Sequence, residues 1–364
     1  TQRCFCNSIQ LEELIIVMQK APMFWEKRGL TAYLLWPLSK VFSIVTCIRR
    51  YLYELKIFKS EALDVPVIIV GNLRVGGTGK TPSVLAIAKA LHAKGFHPGI
   101  ISRGYKGQHQ RVQEVSSASS PNELGDEPCY MAQQLSHLHI PVFVHSQRVQ
   151  TAKALLQAYP SVDVIISDDG LQHYALKRWP AREGGRDVEL VVRDAREEGN
   201  QFLLPAGPLR ESAQRPRDYS LSIGTHSAPY LANAPCFNVN IQVKKAYQLS
   251  QPSEALSLSE LKEKTELKVL AAAGLGNPQK FFDLLSSEGL HFESLPLADH
   301  YDFSVNPFKS ITADIILITE KDAVKCSQLS EYKDDMRIWV LPIEIELPKD
   351  LVDLMVEVIQ RPQP

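Results

Sequence analysis

The chain has 364 residues, 45% of them hydrophobic and 22% charged, with a formal net charge of −1. That length allows about two domains and a substantial core, and the charge balance excludes the chain-wide basic surface that holds nucleic acid. Six scattered cysteines lack the spacing of a disulfide framework or a zinc site, which points to a reduced, cytosolic compartment.

Residues 1–22, which include Cys4 and Cys6, are set apart as an extension of no assigned role. Residues 23–63 read as a membrane-associated helical segment. Within it LTAYLLWPLSKVFSIVTCI, residues 30–48, carries Lys40 as its only charge, at the lower edge of the length that crosses a bilayer. Pro37 interrupts the run, however, and the basic stretch RRYLYELKIFKS follows it. Trp25, Tyr33, Trp36, Phe42, Tyr51, Tyr53 and Phe58 are interleaved along the segment. This composition suits a helix lying in the headgroup layer of an anionic membrane surface. A full span and a buried capping helix are the alternatives, and no cleavable secretory signal stands out.

From Val65 short β-branched runs alternate with helical stretches. VPVIIVGN, HPGIISRG, IPVFVHS, VDVIISDDG and VELVVRDA read as strands; residues 82–94, EPCYMAQQLSHL and RVQTAKALLQAY read as helices. The alternation specifies a parallel sheet with helices on both faces, a core spanning 64–229. YSLSIGTH and CFNVNIQVKKAYQL read as strands with no helix between them, which suggests a hairpin linker over 230–252. LKVLAAAGLGNPQKFFDLLSSEG, ADIILITEKDAVK and RIWVLPIEI then mark a smaller C-terminal α/β subdomain over 253–364.

The loop Gly76-Gly77-Thr78-Gly79-Lys80-Thr81 follows the first of these strands and opens a helix, the context a Walker A phosphate loop requires. Glycines let backbone N–H groups converge on phosphate oxygens at a helix N-terminus. Lys80 is placed to reach the β and γ phosphates of a nucleotide, and the Thr81 hydroxyl to ligate Mg²⁺. Arg74 stands where the first glycine of G-x4-G-K-T belongs. The expected fold is therefore P-loop NTPase-like.

Candidate carboxylates sit at strand ends. Ser167-Asp168-Asp169-Gly170 closes VDVII at the edge where parallel sheets bind ligands, and at most one of the two acids should face a metal. Gln172 and His173 follow at the same rim. Asp126 in GDEP is either a helix cap or a rim carboxylate able to take a hydroxyl proton. Asp299-His300 is either a base with its partner or a polar turn. Arg210 and Glu211, after a Pro/Gly-rich turn, form either a phosphate clamp or a surface ion pair. Arg103 and Lys106 in SRGYKG are further anion candidates. TEKD is close to the guanine-recognition motif [NT]-K-x-D, but Glu320 occupies the lysine position, so guanine specificity is not supported.

VPVIIVGNLRVGGTGKTP, SRGYKG, GDEP, SDDGLQHYALKR, LLPAGPLRE, AGLGNPQKFF, ADHYDF and TEKDAVK occur in this order between residues 65 and 325. Together with the anchor-like segment they closely resemble the tetraacyldisaccharide 4'-kinase family, the lipid A 4'-kinases of Gram-negative bacteria. The resemblance implies transfer of phosphate from ATP, with Mg²⁺, to the 4'-hydroxyl of a tetraacylated glucosamine disaccharide 1-phosphate at the cytoplasmic face of the inner membrane. It implies Asp126 as general base with His300 as its partner, and Asp169 as the Mg²⁺ contact beside Asp168. It also implies that Gln172, His173, Arg210 and Glu211 shape the catalytic rim and the lipid head-group contact. No obligate protein partner is called for.

The chain departs from the family pattern at WPAREGG, inserted after HYALKR, and in a shortened stretch at RDAREEGNQF. Both changes fall on the acceptor side and should leave the ATP site intact. The rival reading is a membrane-docked nucleotide switch with no lipid acceptor. It needs the phosphate loop and Asp169 but gives no reason for Asp126, His300 or PLRE.

Overall fold

The structure, a computed structural model, describes residues 22–104, 111–224 and 234–363. The chain divides into two compact units. One comprises Met23–Gln242 with Glu344–Pro364, the other the segment Val243–Ile343.

The first unit is built on an eight-stranded sheet. Its strands are β1 (Val67–Gly71), β2 (Pro98–Ser102), β3 (Gln113–Val115), β4 (Val142–Val144), β5 (Val164–Asp168), β6 (Val188–Asp194), β7 (Tyr219–Ile223) and β8 (Cys236–Val239). Their order is β3-β4-β2-β5-β1-β6-β7-β8, and every pairing is parallel except β3 with β4. β1, β2 and β5 are buried along their full length, as strands covered on both faces must be. The helix Lys80–Ala93 buries Val84, Leu85, Ile87, Ala88 and Leu91; each large apolar side chain so removed from water contributes about 1.5–3 kcal/mol. Val70 lies opposite Asp168 in the register, so the phosphate loop leaving β1 emerges beside the acidic pair leaving β5.

The helix Leu30–Glu54 belongs to this unit and runs through Pro37. Its seat is narrow. The Ser39 hydroxyl donates to the Leu203 carbonyl at 2.7 Å, Tyr33 packs edge-on against Phe202, and the Trp25 indole donates to the Pro205 carbonyl at 3.0 Å. Only 11% of its apolar stretch is buried, and Leu34, Leu38, Val41, Val45 and Ile48 are more than half exposed. The helix is thus not a buried cap. Its length and composition meet the requirement for crossing a membrane.

In the remaining strand region, β9 (Ile241–Val243) pairs with β16 (Ile343–Ile345) as a separate two-stranded sheet. The second unit holds β10 (Ala246–Gln248), β11 (Ala255–Leu256), β12 (Val269–Ala273), β13 (Glu293–Pro296), β14 (Ile315–Thr319) and β15 (Ile338–Leu341), in the order β11-β10-β15-β14-β12-β13. β12 to β15 pair in parallel, and β10 runs antiparallel to β11 and β15.

Two expectations are corrected. The strands around 219–248 do not make a hairpin: β8 joins β7 in parallel, while β10 joins the other sheet. The C-terminal subdomain also does not run to 364. The helix Lys349–Ile359 returns to the first unit, burying Leu351, Val352, Met355 and Val358. Ion pairs Lys94–Asp353 at 2.6 Å and Lys89–Glu344 at 2.9 Å tie that return to the phosphate-loop helix.

Candidate active site

The phosphate loop begins at Asn72, whose amide is fully buried. Its Nδ2 donates to the carbonyls of Arg74 at 2.7 Å and Gly76 at 3.2 Å and to the Thr78 hydroxyl at 3.0 Å, and its Oδ1 accepts from Lys80 Nζ at 3.2 Å. One side chain therefore frames the whole loop. Gly76 and Gly79 have φ of +102° and +95°, left-handed values that only glycine adopts without strain. A Cβ at Gly79 would also lie 2.4 Å from Ile223. Gly77 is exposed and Thr81 half-buried at the first turn of the helix.

Arg74, in place of the first glycine, is 3% exposed. It forms an ion pair with Glu26, just ahead of the apolar helix, and donates to the Arg196 carbonyl at 3.1 Å. Arg196 in turn donates to the Gly77 carbonyl at 2.7 Å while pairing with Asp194 at 2.6 Å. The departure from the Walker pattern is thus filled by a guanidinium that ties the loop to the N-terminal segment.

Asp168 and Asp169 face opposite ways, as adjacent residues at a strand end should. Asp168 is buried; its Oδ2 accepts from the Ser102 hydroxyl at 3.0 Å and its Oδ1 has no partner. Burial, with the Glu127 carboxylate adding to it, pushes the Asp168 carboxyl well above the usual carboxylate range. Asp169 has φ of +49° and turns toward the cations. Lys80 Nζ lies 3.5 Å from it and Arg210 donates to both its oxygens, at 3.0 and 3.2 Å. Burial raises its pKa, but Lys80 and Arg210 outweigh that and hold it at about 2.

Around this pair stand Gln172, whose buried Nε2 has no partner, and His173, pushed down to about 4 by burial and then by the Arg148 charge. Arg103 is exposed at the end of β2, and its charge adds to the depression of His173. Lys106 lies outside the described residues. Glu211 pairs with Arg215 at 2.7 Å, so it supports the rim while Arg210 faces Asp169. Asp126 is 8% exposed and is the first residue inside the helix Asp126–Leu135, whose cap is Gly125. The cap reading of Asp126 therefore fails.

His300 belongs to the second unit, 15% exposed by side chain, with φ of +59° and its Nε2 3.8 Å from Asp299 Oδ1. Its loop is gripped by TEKDAVK: Lys325 Nζ donates to the Tyr301 carbonyl at 2.7 Å. Asp322 accepts from Gly274 N at 3.1 Å and from the Thr319 hydroxyl at 2.6 Å. That motif is a structural clamp, in keeping with its failed match to a base-recognition sequence.

Three participants went unread in the sequence. Asn72 had a signal, being the polar residue that closes an apolar strand ahead of a glycine loop. Arg148, 3% exposed and donating to the Asp168 carbonyl at 2.8 Å, and Arg196 had none, because their partners lie 20 and 119 residues away.

The inserted WPAREGG folds back on itself: Trp179 N donates to Asp187 at 2.6 Å, Pro180 bridges to Asp187, and Lys177 stacks on the Trp179 ring at 3.6 Å.

A family model described as Tetraacyldisaccharide-1-P 4'-kinase matches residues 31–360. The chain is 47% identical over 359 residues to the tetraacyldisaccharide 4'-kinase of Polynucleobacter asymbioticus, covering 96% of this chain and 98% of that protein. It is 46% identical over 338 residues to the one from Janthinobacterium sp. (strain Marseille), covering 92% and 93%. Among solved structures, LpxK from Aquifex aeolicus in complex with ATP aligns with a TM-score of 0.69 and 29% identity, over 90% of this chain and 99% of that one. With the phosphate loop, the acidic pair and the PLRE turn assembled as described, the chain belongs to the tetraacyldisaccharide 4'-kinase family.

Proposed function

We propose that the chain is an ATP-dependent kinase that phosphorylates the 4'-hydroxyl of a tetraacylated glucosamine disaccharide 1-phosphate, the lipid A precursor, at the cytoplasmic face of the bacterial inner membrane. One observation carries the reading: the phosphate loop and an exposed apolar helix share one compact unit and are joined through Arg74 and Glu26. A kinase acting on small soluble acceptors has no use for such a helix, whereas acyl chains do not leave the bilayer and the enzyme must come to them.

Phosphoryl transfer needs positioning and charge neutralisation more than covalent help. The loop amides and Lys80 cradle the triphosphate of ATP, and Lys80 moves from Asp169 toward the β and γ phosphates as they enter. Arg210, on the other side of Asp169, stabilises charge spreading over the transferred group. Asp169 and the Thr81 hydroxyl are hard oxygen donors that would hold Mg²⁺. The chemistry Mg²⁺ supplies when bound is neutralisation of triphosphate charge. No group of three or more acidic, His or Cys ligands occurs among the described residues. That suits an ion usually held by one or two carboxylates together with substrate phosphates. Asp126 accepts the proton of the attacking hydroxyl, an assignment supported by the family likeness and by the burial of Asp126, and the family likeness supports a catalytic role for His300.

The test is a transfer assay in detergent with γ-labelled ATP, Mg²⁺ and the tetraacyl disaccharide 1-phosphate, beside a no-lipid control. Label on the lipid supports the kinase. Label released only as free phosphate, with or without lipid, supports the nucleotide switch. Asp126→Ala should lower transfer by about 10²–10⁴-fold while ATP still binds; near-normal turnover would remove the base assignment.

A further inference from the structure

β1 is flanked by β5 on one side and β6 on the other, with Gly71 opposite Val191, so the chain leaving β6 emerges beside the phosphate loop on the flank away from the acidic pair. Arg196 stands in the turn that begins there. Glu197 N donates to the Asp194 carbonyl at 2.8 Å, and Gly199 N to the Arg196 carbonyl at 3.1 Å. The same carbonyl accepts from Arg74 Nη1. The side chain is held as firmly. Its Nε donates to both oxygens of Asp194 at 3.2 Å, and its Nη2 to Asp194 Oδ2 at 2.6 Å and to the Gly77 carbonyl at 2.7 Å. Nη1 is left over, with no hydrogen-bond partner among the described residues. The guanidinium lies against the glycines. Among the described residues, a Cβ built on Gly76 would meet only Arg196 within 4 Å, Nη1 at 3.7 Å and Nη2 at 4.0 Å, and one built on Gly77 would meet nothing. The space over the loop is therefore open, and the spare N–H groups of Arg196 border it.

The helix end of a Walker loop takes the inner phosphates of a nucleotide, so the residues ahead of G-K-T face the outer ones. Gly76 and Gly77 are those residues here. A guanidinium beside them with one donor edge to spare has the chemistry of a phosphate contact. A mere tie for the loop would need only the bond from Nη2 to Gly77; it gives no reason for the fork onto Asp194 or for the open Nη1. Resting on the kinase reading, we infer that Arg196 binds the terminal phosphate of ATP through Nη1 and is a catalytic residue of the transfer, an arginine finger supplied by the chain itself. In that transfer the acceptor oxygen bonds to the γ phosphorus. The bond to the β–γ bridging oxygen breaks, its electron pair leaves with ADP, and the hydroxyl proton passes to Asp126. Arg196 makes no covalent bond. It neutralises the charge spreading over the transferred group from beside Gly76, whereas Arg210 stands at Asp169. Asp194 is a positioning residue: by gripping Nε and Nη2 it aims Nη1 before the nucleotide arrives.

A contact to the terminal phosphate distinguishes ATP from ADP, and a loop tie does not. Binding of ADP and of the β,γ-imido analogue of ATP to full-length protein in detergent is therefore measured with Mg²⁺ and without acceptor lipid. Arg196→Gln keeps a donor for the Gly77 carbonyl and removes the charge and the spare edge. It should weaken binding of the triphosphate by about tenfold or more and that of ADP by less than about twofold, the loss of one charge-assisted contact. In the transfer assay its kcat should fall by at least about 10²-fold. An equal loss for both nucleotides would make Arg196 a loop tie and overturn the inference, as would no loss for either. Should that variant fail to fold, the same comparison on Arg196→Lys decides, because one ammonium cannot hold Asp194 and a phosphate together. Loss confined to the triphosphate supports the contact; equal or absent loss overturns it. Since nucleotide binding is read without lipid, failure of the kinase reading appears separately, as wild-type protein that binds ATP and labels no acceptor.

Discussion

Two strands of this chain, one in each unit, end beside a buried aspartate, and the two ends are finished in opposite ways. At β5, Asp168 keeps one oxygen without a partner, Ser167 and Gln172 each bury an unpartnered polar atom, and Asp169 faces two cations. At β14, both oxygens of Asp322 accept from Gly274 N, one also from Thr319, and Lys325 closes the neighbouring loop. Leaving a buried polar group unmade costs about 1–3 kcal/mol each. A fold tolerates that cost where a ligand will later supply the partner. The incomplete end is where phosphate chemistry belongs, and the saturated end is a joint that fixes the His300 loop.

The largest break in that contrast is Lys80→Ala. At the open end it should cut phosphate transfer by at least about 10³-fold, the scale of losing a principal charge on the transferred group, with little change in Tm. The same kind of change at the saturated end should act on stability. Asp322→Ala strands Gly274 N and the Thr319 hydroxyl and should cost about 1–3 kcal/mol, read as a fall in the denaturant midpoint with ATP affinity intact. Asp168→Asn sharpens the contrast from the other side. It relieves a buried carboxylate held above its usual pKa, so the nucleotide-free protein should become more stable at pH 8 even as transfer collapses. A lower midpoint there would mean the carboxylate is satisfied after all.

Glu26→Ala probes the link from phosphate loop to helix. The pair is half-exposed on the Glu26 side and worth about 1 kcal/mol or less. The expected outcome is therefore a rise in the KM for ATP of about threefold with unchanged fold, measured at saturating acceptor.

The remaining effect is a pH dependence. His173 is neutral in the folded protein down to about 4, whereas an unfolded imidazole protonates near 6.5. As pH falls from 6.5 to 4 the unfolded chain takes up a proton the folded one refuses, and stability is lost over that window. His173→Gln should remove this loss, giving a higher Tm than the parent at pH 5 and a smaller difference at pH 8. Parallel Tm curves would show that His173 does not titrate this way.

Much of the open end was legible in advance. The glycine loop, Lys80, the acidic pair and Arg210 were each visible as motifs, and the structure assembles them within one unit. Arg74 read only as a missing glycine; its role required Glu26, 48 residues earlier. The closing helix Lys349–Ile359 read as part of the second subdomain because its own periodicity does not say which surface its buried face will meet.

By itself the sequence determined what depends on neighbouring residues. These are the fully buried strands with their β-branched runs, the positive φ at Gly76 and Gly79, and a helix too apolar to be fully solvated. Backbone sterics and side-chain periodicity act over a few residues, so a contiguous string carries them. Only the tertiary structure decided which charges meet: Arg74 with Glu26, Asp169 with Lys80 and Arg210, and Arg215 with Glu189 and Glu211. Electrostatic energy depends on distance and burial in space, and neither is written in the spacing along the chain.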